Sequence, residues 1–445
     1  MGPDPGALPI PGAWRATIII FCAIILCVAD QLLPGLFMAP IKASFGVSDT
    51  QIALLTGFSF SVSIAVFALP LSWVADRSNR ARLLAGAILC WCLATVACGF
   101  AHGFWTFFVL RMGVGLGEAV LKPAAYSLLA DLFPSRLLSR PLAILGLGTL
   151  LGSVVALNGG GALYEVLRAA APHGGVGTDF AWRTTMIIFG ATGLLVAVAA
   201  LWIPEPRANR SLVVSTTESR ASVPLVAYAR SSAFFFVPFV AAMCVYCFYY
   251  AGFSAWQAPF FALRYGWSIG RIGQVLGLVA LSAGLIGMPL GVWLTDQARR
   301  KYGREAPVAA VNWAIGITLP AIILTPFAPD GWLAVMGMAL VLVPGSAATI
   351  IAPIIFAETA PSHLRARVMA IAALFYGLLG TGVGPVAYGA FTDHVLRDSA
   401  KLPITLSVLS GASIAVFIPL MILAERRFAA VTELARSSSQ NGGAP

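Results

Sequence analysis

Residues 104–131 read FWTFFVLRMGVGLGEAVLKPAAYSLLAD, and the class of the protein follows from them. The stretch is long enough to cross a bilayer as a helix, yet Arg111, Glu118 and Lys122 lie inside it. An α-helix turns about 100° per residue. The step from Arg111 to Glu118 therefore returns to within roughly 20° of the same face, and Lys122 follows about 40° further round. The three ionisable groups make one narrow stripe among Leu, Val, Ala and Gly. Facing acyl chains, each charge would cost about 2.5–3.5 kcal/mol. The stripe is expected to face protein or a watery cavity.

The rest of the chain suits a bilayer. It is 59% hydrophobic and 10% charged, where soluble domains carry about 25% charged residues, and its mean hydropathy is +0.88. The net charge of +10 does not point to nucleic acid, because no basic run is interleaved with aromatics. The seven cysteines (Cys22, Cys27, Cys90, Cys92, Cys98, Cys244, Cys247) all lie in apolar segments. Cys244 and Cys247 have no His or carboxylate nearby, so they read as small apolar filler. No metal site and no cofactor is expected. The first fourteen residues are Pro- and Gly-rich and the first apolar segment is of full membrane length, unlike a cleavable signal.

Apolar segments of spanning length recur at 16–38, 51–74, 82–102, 104–131, 140–166 and 181–203, then at 233–262, 270–295, 306–327, 331–356, 366–392 and 402–424. This predicts an all-α integral membrane protein of twelve transmembrane helices. The expected domains are an N-terminal six-helix bundle at 15–204, a cytoplasmic linker at 205–230 and a C-terminal six-helix bundle at 231–427. Residues 1–14 and 428–445 are expected to be disordered. Most of the Lys and Arg residues fall on one side if the N-terminus is cytoplasmic: Arg77, Arg80 and Arg82; Arg136 and Arg140; the linker arginines; Arg299, Arg300, Lys301 and Arg304; Arg365 and Arg367; and Arg426 and Arg427. Both termini are therefore expected inside.

The two halves repeat. Pro70-Leu-Ser-Trp-Val-Ala-Asp76 followed by Arg77 and Arg80 matches Pro289-Leu-Gly-Val-Trp-Leu-Thr-Asp296 followed by Arg299 and Arg300. Asp131-Leu-Phe-Pro134-Ser-Arg, running on to Arg140, matches Glu358-Thr-Ala-Pro361-Ser-His, running on to Arg367. Two correspondences in the same order put the halves in register.

At these residues the chain resembles the major facilitator superfamily, whose signature between helices 2 and 3 is matched by Asp76-Arg77-Ser-Asn-Arg80. Asp49-Thr50-Gln51, the A-D-R-x-N-R form of the signature, and R-x-x-x-G-x-G-E-A from Arg111 on to Pro123 resemble the spinster-like branch. The resemblance implies two pseudo-twofold six-helix bundles around a central cavity that opens alternately to each side, with lipid-like or amphipathic anionic substrates and, in bacteria, proton coupling. It places the branch's helix 1 acid on Asp30 and its helix 4 pair on Arg111 and Glu118. This sequence departs from the pattern at Gln31, where many relatives have Arg, and at Lys122, where the usual residue is small or polar. The expectation is that Lys122 replaces the lost cation and balances Asp30 and Glu118. A cation at i+4 would also hold Glu118 ionised, which sets an uncoupled facilitator or exchanger beside the proton-coupled reading.

Each feature has a plainer alternative. Asp30 and Glu118 read as proton carriers, or else as part of an ion-pair cluster with Arg111 and Lys122 that pins helix 1 to helix 4. Arg111 and Lys122 are equally suited to a substrate carboxylate or phosphate. Asp76, Arg77, Arg80, Asp131 and Arg140, with Asp296, Arg299, Glu358 and Arg367, place an acid before each basic cluster. That pattern suits ion pairs latching a cytoplasmic gate, whereas orientation alone would need only the arginines. Tyr246, Tyr249, Tyr250 and Gln257 fall at helical spacings and read as cavity lining or as interface aromatics; Asn158 and Tyr376 are further cavity candidates. Glycine runs at 146–161 and 377–389 read as packing hinges, because phosphate cradling needs a strand.

No Ser/His/Asp or Cys/His set and no metal-ligand spacing is present, and His102, His173, His363 and His394 sit at helix ends or in loops, so no catalytic residues are assigned. The expectation is a secondary transporter in a bacterial plasma membrane that moves an amphipathic or anionic organic solute by alternating access. Its partners would be that solute, protons and lipid, and it would act as a monomer. A non-transporting receptor or scaffold is the remaining rival.

Overall fold

The computed structural model describes residues 8–171, 176–206, 225–303, 306–361 and 364–441. Among these, twelve helices are long and apolar enough to cross a membrane: α1 (Ala13–Leu36), α2 (Asp49–Phe67), α3 (Arg80–Cys98), α4 (Phe104–Leu132), α5 (Ser139–Ala170), α6 (Asp179–Ala200), α7 (Ala227–Ala255), α8 (Ile269–Tyr302), α9 (Ala306–Phe327), α10 (Gly331–Thr359), α11 (Arg367–Leu396) and α12 (Ser399–Leu434). Large apolar side chains stand exposed along these spans, among them Leu195 at 74% and Met336 at 65%. In water such a surface would be an aggregation liability; in acyl chains it is the solvated face.

The chain divides into two compact units, Met1–Val214 with Gln257–Leu281, and Ser215–Trp256 with Ser282–Pro445. In the first, α3 packs on α4 and α6, and α1 packs on α5. Small residues make this possible where apolar burial drives no association between helices. A Cβ at Gly117 would lie 2.7 Å from the Ala87 carbonyl oxygen and 2.9 Å from Trp91 Cβ, so α4 meets α3 backbone to side chain at the residue before Glu118. In the second unit α7 packs against α11 and α12, around buried Phe235, Phe239, Tyr246 and Phe428.

Three spans carry π-helical turns: Leu54–Phe58 in α2, Val155–Gly159 in α5, and Tyr376–Gly382 and Phe391–Leu396 in α11. Two of these fall inside the glycine runs read as hinges. An inserted residue of this kind rotates the face presented beyond it, and such bulges collect at functional sites.

The helix that forms α12 continues to Asn441, past residue 427 where the sequence reading ends the bundle. Phe428 and Val431 are fully buried, and Phe428 meets Phe235 edge-on at 5.7 Å, so apolar anchors carry the helix on. The linker reading falls mostly on 207–224, which lies outside the described residues, as do residues 1–7 and 442–445.

Candidate functional site

The ionisable groups of α4 meet α1 and α3 at mid-span. Arg111 is fully buried, with its Nη1 3.7 Å from Asp30 Oδ1 and donating to the Asp30 carbonyl oxygen at 3.4 Å. Its guanidinium also lies 5.8 Å from the centroid of the Phe60 ring, a cation–π distance. Thr95 of α3 donates from Oγ1 to Asp30 Oδ2 at 2.8 Å. Gln31, the next residue of α1, donates to Glu118 Oε2 at 2.6 Å and to Cys27 Sγ, one turn back, at 3.3 Å. Asp30 and Glu118 are each 5% exposed.

The cluster is under-bonded. Asp30 Oδ1, Glu118 Oε1, and Arg111 Nε and Nη2 are buried and have no hydrogen-bond partner among the described residues. Buried polar atoms are nearly always paired, because an orphan costs about 1–3 kcal/mol.

Lys122 does not join them. It is exposed and makes no ion pair with Glu118 or any other described residue. The cation expected to stand in for the Arg missing at Gln31 forms no ion pair with Glu118: Gln31 itself serves Glu118 as a neutral donor. Burial separates them: Gln31 of α1 covers Glu118, while Lys122 one turn on lies at an exposed position of α4. The stripe of the sequence reading thus splits into a buried part, Arg111 and Glu118, and an exposed cation.

At the end of the first unit near the start of α3, Arg80 is 1% exposed and fully bonded. Its Nη2 lies 2.6 Å from Glu205 Oε1, its Nε and backbone N donate to Glu205 Oε2, and its Nη1 reaches Asp131 at 2.7 Å and Ser127 Oγ at 2.9 Å. Arg80 and Asp131 come together as expected, while Arg140 is exposed outside the node. In the second unit the counterpart is a single pair, Arg299 to Glu358 at 3.2 Å, with Asp296 and Arg367 exposed beside no ion pair among the described residues. The side chains of Asp76 and Arg77 lie outside the described residues.

The tyrosines of α7 form a cluster. Tyr246 stacks on Tyr250 at 5.8 Å and meets Tyr249 edge-on at 5.6 Å. The Tyr246 hydroxyl donates to the Gly345 carbonyl oxygen at 2.8 Å. Gln257 is corrected: α7 ends at Ala255, Trp256 is buried with its indole N–H donating to Pro385, and Gln257 starts a separate helix, Gln257–Tyr265. It does not continue the tyrosine face. Asn158 turns its amide nitrogen to the carbonyl oxygens of Gly273 at 2.7 Å and Gln274 at 3.0 Å, so it grips the backbone of α8. Tyr376 is half-buried in the π-helical turn of α11.

Residues that the sequence reading missed are Thr95, Ser127 and Glu205. A threonine in an apolar span carries no signal of its own. Glu205 did carry one, being an acid at the end of α6 on the same side as Arg80 and Asp131, but it reads equally well as the first residue of a linker.

A family model described as Major Facilitator Superfamily matches residues 19–385. The chain belongs to the Major Facilitator Superfamily. An MFS-type efflux pump of Mycolicibacterium smegmatis is 28% identical to it over 403 residues, covering 87% of this chain and 86% of the pump. Protein spinster homolog 1 of Bos taurus is 24% identical over 410 residues, covering 86% of this chain and 73% of that protein. The crystal structure of a bacterial homolog to the human lysosomal transporter spinster, inward-facing and unoccupied, matches with a TM-score of 0.76 at 21% identity, over 97% of this chain and 98% of that one. This superfamily protein is a multi-pass membrane transporter that resembles the spinster proteins.

Proposed function

We propose that this transporter moves an anionic, amphipathic or organic-acid solute by alternating access, coupled to protons through Asp30 and Glu118, in a bacterial inner membrane with both termini cytoplasmic. The observation that carries this reading is the under-bonded pair of mid-span carboxylates beside Arg111. A carboxylate with one bonded and one orphan oxygen can take a proton on the orphan without breaking its existing bond. Neutralising either acid changes the balance around a buried guanidinium, and a change of charge at membrane depth is what couples a proton to a conformational step. Lys122, an exposed cation about one turn from Glu118, suits attraction of an anionic group as a point charge.

The test is uptake into proteoliposomes across an imposed pH step, using a panel of lysolipids and organic acids. In the wild type the step drives accumulation of the accepted solute. Glu118→Gln keeps exchange of solute for solute but loses accumulation. A second reading rests on the Asp30–Arg111 pair, which can stay ionised throughout in an uncoupled exchanger. Flux indifferent to the pH step in both wild type and Glu118→Gln selects that reading.

A further inference from the structure

Beside Asp30 lies a small pocket that the transport reading does not use. Asp30 of α1, Trp91, Cys92 and Thr95 of α3, and Phe189 and Gly190 of α6 line it, whereas Arg111 and Glu118 belong to α4. A Cβ at Gly190 would lie 2.8 Å from the Cys92 carbonyl oxygen, so glycine is what lets α6 close on α3 at this depth. The space left is about 10 Å³, which is what one water molecule needs and less than any larger molecule occupies.

The polar groups of this wall are short of partners. Asp30 Oδ1 is buried without a hydrogen bond, since Arg111 Nη1 stands 3.7 Å away. Trp91 is buried, yet its indole N–H makes no hydrogen bond among the described residues, where a buried indole ordinarily finds an acceptor. Thr95 Oγ1 gives its proton to Asp30 Oδ2 and keeps its lone pairs. The carboxylate and the hydroxyl oxygen therefore call for a donor, and the indole for an acceptor. A metal cation would serve the oxygens but face an indole N–H, with the Arg111 guanidinium already beside the carboxylate. An anion would be repelled by Asp30. What answers all three groups is a molecule that donates and accepts through a single heavy atom, and water does both.

We propose that this pocket is a binding site for one water molecule, which donates to the Asp30 carboxylate and to Thr95 Oγ1 and accepts from the Trp91 indole N–H. Such a water ties α1 to α3 where α6 packs against both. Its use in transport rests on the proposed function. Arg111 can serve Asp30 only as a donor, whereas a water turns to accept when the carboxyl group carries a proton. Asp30 thus keeps a bonded partner in either charge state, and when Arg111 turns to an anionic solute the carboxylate is not stranded. The site itself depends on neither proton coupling nor the identity of the solute.

The experiment is hydroxyl-radical footprinting of the full chain in phosphatidylcholine nanodiscs, with a synchrotron X-ray pulse as radical source and mass spectrometry as readout. Radicals formed from a bound water oxidise the side chains touching it, out of reach of bulk solvent. Cys92 and Trp91 are expected to be oxidised, while Cys98 and Trp256, buried as deeply but outside the pocket, are spared. Leu26 also lines the pocket, one turn before Asp30, and Leu26→Phe adds more volume than the pocket holds. It is expected to abolish oxidation of Cys92 and to slow solute exchange about tenfold with KM unchanged, as for loss of one hydrogen bond to a charged group. Trp91→Phe keeps an aromatic ring, removes the N–H and weakens Cys92 oxidation; it decides the matter should Leu26→Phe fail to fold. Oxidation of Cys92 no faster than that of Cys98 overturns the proposal. So does oxidation that survives in both variants, or that sodium suppresses relative to choline, which would assign the site to a cation. If Cys92 oxidation is lost in Leu26→Phe while exchange keeps its wild-type rate, the transport role is overturned. A wild type that exchanges no solute fails the proposed function instead, and the footprint still decides the site.

Discussion

At the scale of single residues, the buried charges of α1 and α4 are held by neutral donors, Gln31 on Glu118 and Thr95 on Asp30. Asp30, Arg111 and Glu118 stand out in apolar spans, and α1 and α4 do bring them to one place. What one dimension hides is which neighbour answers each charge. Lys122 looked like the answer to Glu118, but Gln31 takes that position and leaves the lysine exposed. Lys122→Gln is therefore expected to change folding stability by less than about 0.5 kcal/mol, as for an exposed, unpaired side chain, while raising the KM for an anionic solute. Thermal unfolding and uptake kinetics on one preparation check both halves. Thr95 makes the opposite case. It gives Asp30 Oδ2 a hydrogen bond that nothing in the sequence announces. Thr95→Val keeps the shape and removes the donor, which should cost about 1–3 kcal/mol and slow transport, and Thr95→Ser should restore both.

At the scale of elements, apolar periodicity found all twelve spans because a bilayer demands about twenty apolar residues from each. It could not see where a helix ends for a tertiary reason. Continuous hydropathy runs from α7 through Gln257, yet the helix ends at Ala255, Trp256 turns its indole N–H to Pro385, and Gln257 starts a new helix. Glycine spacing likewise marks close packing without saying which glycine meets a neighbour. Gly117 and Gly146 look alike in sequence, but a Cβ at Gly117 strikes α3 backbone at 2.7 Å and one at Gly146 meets nothing within 4 Å. Gly117→Ala is expected to destabilise by about 1–3 kcal/mol through overpacking, and to disturb Glu118 next to it. Gly146→Ala should be neutral or stabilising by about 0.4–1 kcal/mol, since it only restrains the unfolded chain. Unfolding midpoints in one detergent compare them directly. Equal losses would mean that the approach of α4 to α3 is looser than its geometry.

At the scale of the whole molecule, the internal repeat predicts symmetric charge clusters, and the two units depart from that symmetry in a definite direction. Both carry an acid and an arginine where the motifs place them, Asp131 with Arg80 and Glu358 with Arg299. In the first unit Glu205 adds a second acid and Ser127 a hydroxyl, and the guanidinium is 1% exposed. In the second the pair has no further partner among the described residues, its side chains 53% and 36% exposed. Removing one partner of a buried, hydrogen-bonded pair costs about 3–5 kcal/mol because the other charge is stranded. An exposed pair is worth about 0–1 kcal/mol, and salt screens it. Glu205→Gln should therefore lower the unfolding midpoint well beyond Glu358→Gln, with a loss that persists in high salt, whereas the small effect of Glu358→Gln should vanish there. If these clusters latch the cytoplasmic side, as their pairing of acid with arginine suggests, the same contrast belongs in transport rate. Glu358→Gln then speeds or slows exchange without a stability change, because a pair this exposed breaks and reforms at little cost, while the Arg80 node keeps its own unit rigid. Equal stability losses from the two substitutions would show that the repeat's symmetry extends to energetics, and that the burial of Arg80 counts for less than its bonding implies.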